Sequence, residues 1–309
     1  MNEMPAAKFR DPALVDYGTD PAGLGRRLER FAGLLVDRPL PHVTGSRRDP
    51  AAWPEAAAVF HSATASTIAP PAGPAGRWEF RRTVPDPWRT SIPLGLATIL
   101  LEIRPAPSGQ IGIFLEQVAQ WRWLAAVTPP GSVMLSLFGH SGAATLALAA
   151  AGAEVVHVDA SRQALALARR NAEASGLSHL PIRWVCDDAA GFVRRQVRRG
   201  RGFSGAVIDP PSWGHGPRGE AFAIDRDLAP LVGDVARLVA AGGTLPRGPL
   251  LLTSHSSGWH RRRLRATLQE ACTTAGVGCD PPEDGPLTCT DDADRTLDLG
   301  AYARCLPRS

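Results

Sequence analysis

The sequence predicts an α/β protein with a doubly wound, Rossmann-like parallel sheet and a small β-rich N-terminal region. Three observations predict it. From Gly112 onward, apolar runs of strand length alternate with stretches of helical period. The acids Asp159, Asp187, Asp188 and Asp209 stand at the ends of successive strand-like runs. Residues 1 to about 110, in contrast, are proline-rich and hold only short strand-like runs. The expected division is 1–110 as an accessory or substrate region and 111–309 as the domain that carries the chemistry.

The N-terminal region is broken by the segments `DRPLPHVTGSRRDP` (37–50) and `STIAPPAGPAG` (66–76). On either side of them, `FAGLLVDRP` (31–39), `GRWEFRRT` (76–83) and `LGLATILLEIRP` (94–105) predict a small, mostly antiparallel sheet with long loops, as an accessory domain or lid. The helix-like `LEQVAQWRWLAAV` (115–127) then precedes a strand over Val133–Phe138. After Gly142 comes a small-residue helix to about Ala151, and then a strand over Glu154–Val158. The stretch 161–177 reads as a helix with Ser161 near its start and Gly176 past its end. There follow a strand in `IRWVC`, a helix through `GFVRRQVRR`, a strand in `GAVID`, a loop `PPSWGHGPRG`, a helix near 226–241 and a strand in `LLLTS`. The pieces `GPLTCT` and `RTLDLGAYARC` predict a closing pair of strands.

Composition narrows the class. The 309 residues are 44% hydrophobic and 21% charged, as in an ordinary globular protein with ample core. No apolar leader precedes Lys8, Arg10 and Asp11, and the apolar stretch after Gly142 is cut by Gly152 and Glu154, short of a bilayer span. Cys186, Cys272, Cys279, Cys289 and Cys305 form no CxxC pair, so free thiols, no metal site and a cytoplasmic location are expected. Lys8 is the sole lysine. The arginines cluster at Arg194, Arg195, Arg198, Arg199 and Arg201, and again at Arg261, Arg262, Arg263 and Arg265. Such clusters suit phosphates or form solvated helix faces.

The run `LSLFGHSGAATLALAAAGAEVVHVDAS` (135–161) has the outline of strand, tight loop, helix and strand tipped by an acid. Gly139 and Gly142 stand in GxxG spacing, without the middle glycine of a dinucleotide loop, and Asp159 follows 17 residues after Gly142. Taken alone, that fits NAD, FAD or S-adenosylmethionine. In a parallel sheet this loop and the acids at 187, 188 and 209 gather at the carboxyl ends of the strands.

With `SLFGHSG`, `VDAS`, `CDDAAGF` and `IDPPSW` in this order, the chain resembles class I S-adenosylmethionine-dependent methyltransferases. It is most similar to the large-subunit ribosomal RNA group that modifies cytosine C5 or guanine N7. The segment `IGIFLEQVAQWRWL` resembles the stretch that precedes the first core strand in that group, and the resemblance covers about 112–305. It implies S-adenosylmethionine as cofactor and RNA, ribosomal in that group, as partner. Asp159 and the adjoining Ala160 would lie at the ribose, and Asp188, or less readily Asp187, at the adenine amine. Phe138, Gly139, Ser141 and Gly142 would lie along the methionine portion, whose amino-acid end Glu116 and Gln117 would hold. Asp209, Pro210 and Pro211 would border the methyl-transfer site. Trp213 either offers a flat face for a substrate ring or caps the core as a loop aromatic.

The sequence departs from that group at the nucleophile. Members that make 5-methylcytosine use a cysteine thiolate, and Ser254-His255-Ser256 and Ser212 stand here without one. Direct transfer to a nitrogen or oxygen lone pair, with a base nitrogen the first choice, is therefore expected, and His255 is either a proton acceptor or structural. The alternatives are a small-molecule or protein side-chain methyltransferase on the same core, an NAD-dependent oxidoreductase, and a cofactor-binding scaffold without catalysis.

Overall fold

The computed structural model describes residues 11–62, 76–217 and 219–308. Lys8, Arg10 and the proline-rich residues 66–75 lie outside the described residues. The chain forms two units, one of Met1–Ile92, Leu101–Leu115 and Cys289–Leu297, the other of Pro93–Leu100, Glu116–Thr288 and Asp298–Ser309.

The first unit is built on a five-stranded sheet of β1 (Ala13–Thr19), β2 (Gly25–Phe31), β3 (Leu34–Pro39), β4 (Ala58–Ser62) and β5 (Gly76–Phe80), in that spatial order. Only the β3–β4 pair is parallel. The run 31–39, expected as one strand, is broken at Ala32 and Gly33, both at positive φ (50° and 77°). This is the backbone a two-residue hairpin needs, so it joins β2 to β3. Val15, Leu28, Trp53, Ala56 and Val59 form a core here. Arg38 and Glu29, both buried, meet through two hydrogen bonds of 2.5 and 3.0 Å, the arrangement in which a buried charge pair is tolerated. A separate two-stranded ladder joins β6 (Arg89–Pro93) to β7 (Thr98–Glu102), the part of 94–105 that is strand.

The second unit carries the expected alternation. After α1 (Val118–Val127) come β8 (Val133–Leu137), α2 (Ala143–Ala150), β9 (Glu154–Asp159), α3 (Arg162–Ala174), β10 (Ile182–Cys186), α4 (Ala189–Arg198) and β11 (Gly205–Ile208). The segment expected as an open loop after β11 contains a short antiparallel ladder, β12 (Trp213–His215) with β13 (Ala221–Ala223). Then follow α5 (Ile224–Ala240), β14 (Leu250–Ser254), α6 (Arg261–Ala275), β15 (Glu283–Thr290) and β16 (Thr296–Cys305).

These strands make a seven-stranded sheet, β10-β9-β8-β11-β14-β16-β15. The first five run parallel, and β16 is antiparallel to β14. From β8 the chain winds outward through β9 and β10, then returns to β11 on the other side. The strand order therefore switches beside β8, where such sheets bind ligands. Helix ends follow local chemistry. Ser161 accepts from the Ala164 N–H to start α3, and Gly176, at φ 69°, takes the left-handed position past its end. Leu135, Val156, Ile208, Leu228, Val235, Leu252 and Leu268 are among the residues of one core that joins sheet and helices.

Candidate active site

Four adjacent parallel strands and the loop after a fifth bring the sequence-predicted residues to one edge of the second unit. Across the sheet they lie in the order Asp187 and Asp188 after β10, Asp159 at the tip of β9, the 138–142 loop after β8, Asp209 after β11 and His255 after β14. Parallel strands put all their carboxyl ends on one edge, so residues far apart in sequence converge.

The loop is held from two sides. Phe138 (φ 55°), His140 (φ 43°) and Gly142 (φ 84°) all have left-handed backbone, which turns the chain sharply from β8 into α2. Asp159 fixes the loop to the neighbouring strand. One carboxylate oxygen accepts from the His140 N–H at 2.9 Å, and the other accepts from the Ser161 N–H at 2.8 Å. The Asn171 amide donates to the Ser141 carbonyl at 2.9 Å. Gly139 is required by what lies behind it, because a Cβ there would sit 2.3 Å from the His157 ring. That ring is buried between Thr145, whose hydroxyl is 2.8 Å from Nδ1, and Trp184, at 4.8 Å between centroids. Burial, and the nearby charge of His140, push the His157 pKa down to about 3, so it is neutral.

At the β10 edge, Asp188 caps α4 by accepting from the Gly191 N–H at 2.6 Å, and Asp187 pairs with Arg195. Ala160 is half-buried, and its carbonyl lies 3.5 Å from the Cys186 sulfur. The tip of the β12–β13 ladder approaches closely here, since a Cβ on Gly216 would lie 3.0 Å from that of Asp188.

The opposite end holds a polar cluster. The Thr253 hydroxyl donates to Asp209 Oδ1 at 2.5 Å. Because β11 and β14 pair Ile208 with Leu252, the next residues on each strand are Asp209 and Thr253, and they fall side by side. His255 Nδ1 lies 2.8 Å from the Leu299 carbonyl, which only accepts, so Nδ1 carries the proton. Nε2 can then accept from the Gln117 amide N–H at 3.4 Å, and Asp209 Oδ1 lies 4.0 Å away. Glu116 and Gln117 are buried, with Glu116 Oε1 3.6 Å from His255 Nδ1. Glu116 Oε2 is buried with no hydrogen-bond partner among the described residues. A buried carboxylate oxygen left so is costly unless a ligand donates to it. After Asp209, Pro210 is buried and Pro211 exposed, and the Ser212 hydroxyl bonds Ser256 at 2.6 Å. Trp213 does not cap the core: it is 61% exposed on β12, with its ring 4.1 Å from that of His215. Phe138 packs on Phe222 of β13 at 5.1 Å.

Sequence reading passed over Thr253, His157 and Phe222. The pairing of β11 with β14 places Thr253, the β12–β13 ladder places Phe222, and the pairing of β8 with β9 places His157. Cys186, at the end of β10, stands across the sheet from this polar cluster.

No family model matches the chain. Among solved structures, it is similar to an S-adenosylmethionine-dependent methyltransferase from Agrobacterium tumefaciens at 28% identity and a TM-score of 0.81, with 97% of this chain and 91% of that one covered. The chain is an S-adenosylmethionine-dependent methyltransferase with a Rossmann-like fold. A protein from Streptococcus mutans assigned to such enzymes shares the fold at 13% identity and a TM-score of 0.63, with 96% of this chain and 76% of that one covered. A further assigned methyltransferase, solved with S-adenosylhomocysteine, does so at 14% and 0.63, with the same coverage. The cofactor of this methyltransferase is S-adenosylmethionine, and its residues fit that group. The unmatched Glu116 oxygen and the half-exposed acids Asp159 and Asp209 are acceptors at both ends of the strand edge. They suit a ligand that carries an ammonium at one end and hydroxyls at the other. The NAD-dependent oxidoreductase reading is overturned.

Proposed function

We propose that this methyltransferase modifies a base nitrogen of RNA, with ribosomal RNA the substrate class that the motif resemblance favours. The observation that carries the nitrogen is the polar cluster at Asp209, Thr253 and His255, which holds a proton acceptor in the place where a thiolate would stand. Glu116 and Gln117 would hold the amino-acid end of the cofactor, and Phe138, Gly139, Ser141 and Gly142 would line its methionine portion. Asp159 and Ala160 would meet the ribose. Asp188, flanked by Asp187, would meet the adenine. When bound, S-adenosylmethionine supplies a methyl group activated by its sulfonium.

The chain's own task is then to orient the acceptor and exclude water. Asp209, fixed by Thr253, accepts from a target N–H and aims the nitrogen lone pair, while Pro210 and Pro211 stiffen the loop that bears it. His255, with its proton held on Nδ1 by Leu299, offers Nε2, on exchange of its contact with Gln117, to take the proton that the methylated nitrogen releases. The exposed Trp213 ring would stack on the target base. Residues 1–110 serve in this reading as a β-rich substrate region and 111–309 as the catalytic domain. The enzyme works in the cytoplasm, where its RNA is. Among the described residues, no helix is long and apolar enough to cross a membrane.

A second reading, a small-molecule or protein side-chain acceptor, is favoured by one feature. Arg261 and Arg265 lie 3.8 and 3.3 Å from Asp284, and Arg263 lies 3.2 Å from Asp225, which leaves α6 less positive charge for phosphates. Mass-spectrometric nucleoside analysis of RNA from cells with and without the gene decides between them. Loss of one N-methylated nucleoside is expected, and an unchanged profile overturns the RNA reading. RNA carrying 5-fluorocytosine should form no denaturation-resistant complex. A covalent band that one cysteine variant removes would overturn the nitrogen target.

A further inference from the structure

Three of the five cysteines, on three different elements, converge within the second unit. Cys272 lies in the last turn of α6, Cys279 in the segment after it and Cys305 at the end of β16, and their sulfurs all lie within 4.8 Å of one another. All three are free thiols, with Cys272 and Cys305 buried and Cys279 half-buried. Nothing in the linear spacing announces this, because no two stand in a metal-binding pair.

The local structure holds the three in place. Gly276, at φ 71°, ends α6 in the left-handed conformation and turns the chain back. Cys279 bridges to Pro307, and the Arg308 N–H donates to the Gly278 carbonyl at 2.6 Å, which ties this segment to the chain beyond β16. Cys305 is fixed opposite Leu250 by the β14–β16 ladder. Buried cysteine often serves simply as a small apolar side chain. Packing alone, however, asks nothing about sulfur direction, and here three sulfurs point into one space from separate elements. A disulfide would use two and leave one over, whereas one soft cation uses all three.

We propose that Cys272, Cys279 and Cys305 form a three-thiolate site for zinc, with the fourth position open to solvent beside half-buried Cys279. At a Zn–S distance of about 2.3 Å, tetrahedral thiolates stand roughly 3.8 Å apart, so the sulfurs need shift by no more than about an ångström. The bound cation replaces the thiol protons, which leave to solvent, so binding tightens as pH rises. The cation would pin the end of α6 to β16, the strand that leads from Leu299 and its bond to His255.

The test uses the full-length protein, reduced and stripped of metal with a chelator, and titrated with cadmium as a spectroscopic probe and with zinc. A sulfur-to-cadmium charge-transfer band that saturates at one equivalent is expected, and zinc should compete it away and raise the melting temperature. Cys279→Ser, at a half-buried position that tolerates the change, should abolish the saturable band. Cys305→Ser should do the same where it folds. Cys186→Ser and Cys289→Ser should leave the band intact. No saturable band from the reduced protein overturns the proposal, as does a band insensitive to Cys279→Ser. Peptide mapping that finds a disulfide among these three in freshly purified protein also overturns it.

Discussion

Asp209 and its partner Thr253 show how much one hydrogen bond matters at the site. The carboxylate is half-exposed, and the 2.5 Å bond from Thr253 fixes which way it faces. Asp209→Ala should lower turnover about 100-fold or more, the scale of a misplaced reacting group, with cofactor affinity little changed. Cys186→Ser and Cys289→Ser should retain turnover. Thr253→Val should fall between, and single-turnover kinetics against cofactor binding would separate the two effects. A cysteine variant as damaging as Asp209→Ala would reassign the chemistry. Asp159 is a different case, because its two oxygens also hold the His140 and Ser161 N–H groups. Asp159→Ala should weaken cofactor binding by about 1–3 kcal/mol, read by calorimetry. Asp159 and Asp209 are visible in the sequence as acids that end apolar runs. Thr253 is invisible there, because what selects it is a strand register and nothing in its own neighbourhood.

The elements around the loop after β8 carry a pH-dependent contribution to stability. His157 of β9 is buried behind Gly139 and has a pKa near 3, against 6.5 for an exposed imidazole. Below pH 6.5 the unfolded chain binds a proton that the folded ring refuses. Stability is therefore full above about pH 6.5 and declines as pH falls toward 3, by ~1.4 kcal/mol per pH unit at most. Denaturant titrations across this window should show that His157→Gln flattens the acid limb relative to the parent. Parallel slopes would mean that the ring is protonated in the fold. The alternation from β8 to β14 is legible because buried parallel strands read as apolar runs between periodic helices. The N-terminal sheet is only partly so. β1 (`ALVDYGT`) and β4 (`AVFHS`) are short runs beside proline and glycine, and the single apolar run 31–39 hides a hairpin turn. β12 and β13, three residues each, lie in a segment whose glycines and prolines read as loop. The cysteine cluster is unreadable for another reason, since it depends on where α6 and β16 end in space.

Across the whole molecule the net charge is only +4, so any grip on RNA must come from where the arginines stand. Arg194, Arg198, Arg199 and Arg201 are exposed on and just beyond α4, whereas the α6 cluster faces the carboxylates of Asp225 and Asp284. A guanidinium already beside a carboxylate gains less from a phosphate, because it must first give up a partner. Reversing Arg194, Arg198 and Arg199 to glutamate should therefore weaken RNA binding more than reversing Arg261, Arg263 and Arg265. It should also flatten the dependence of affinity on salt by about 0.7–0.9 in the log–log slope for each phosphate no longer neutralised. Cofactor affinity should not move, because none of these side chains takes part in the hydrogen bonding at Asp159, Asp209 or Glu116. Fluorescence anisotropy with RNA fragments at several salt concentrations measures both affinity and slope. If the α4 reversal leaves the two unchanged, those arginines are a solvated helix face. The substrate would then be a small molecule or a protein side chain, held at the polar cluster without help from phosphate binding.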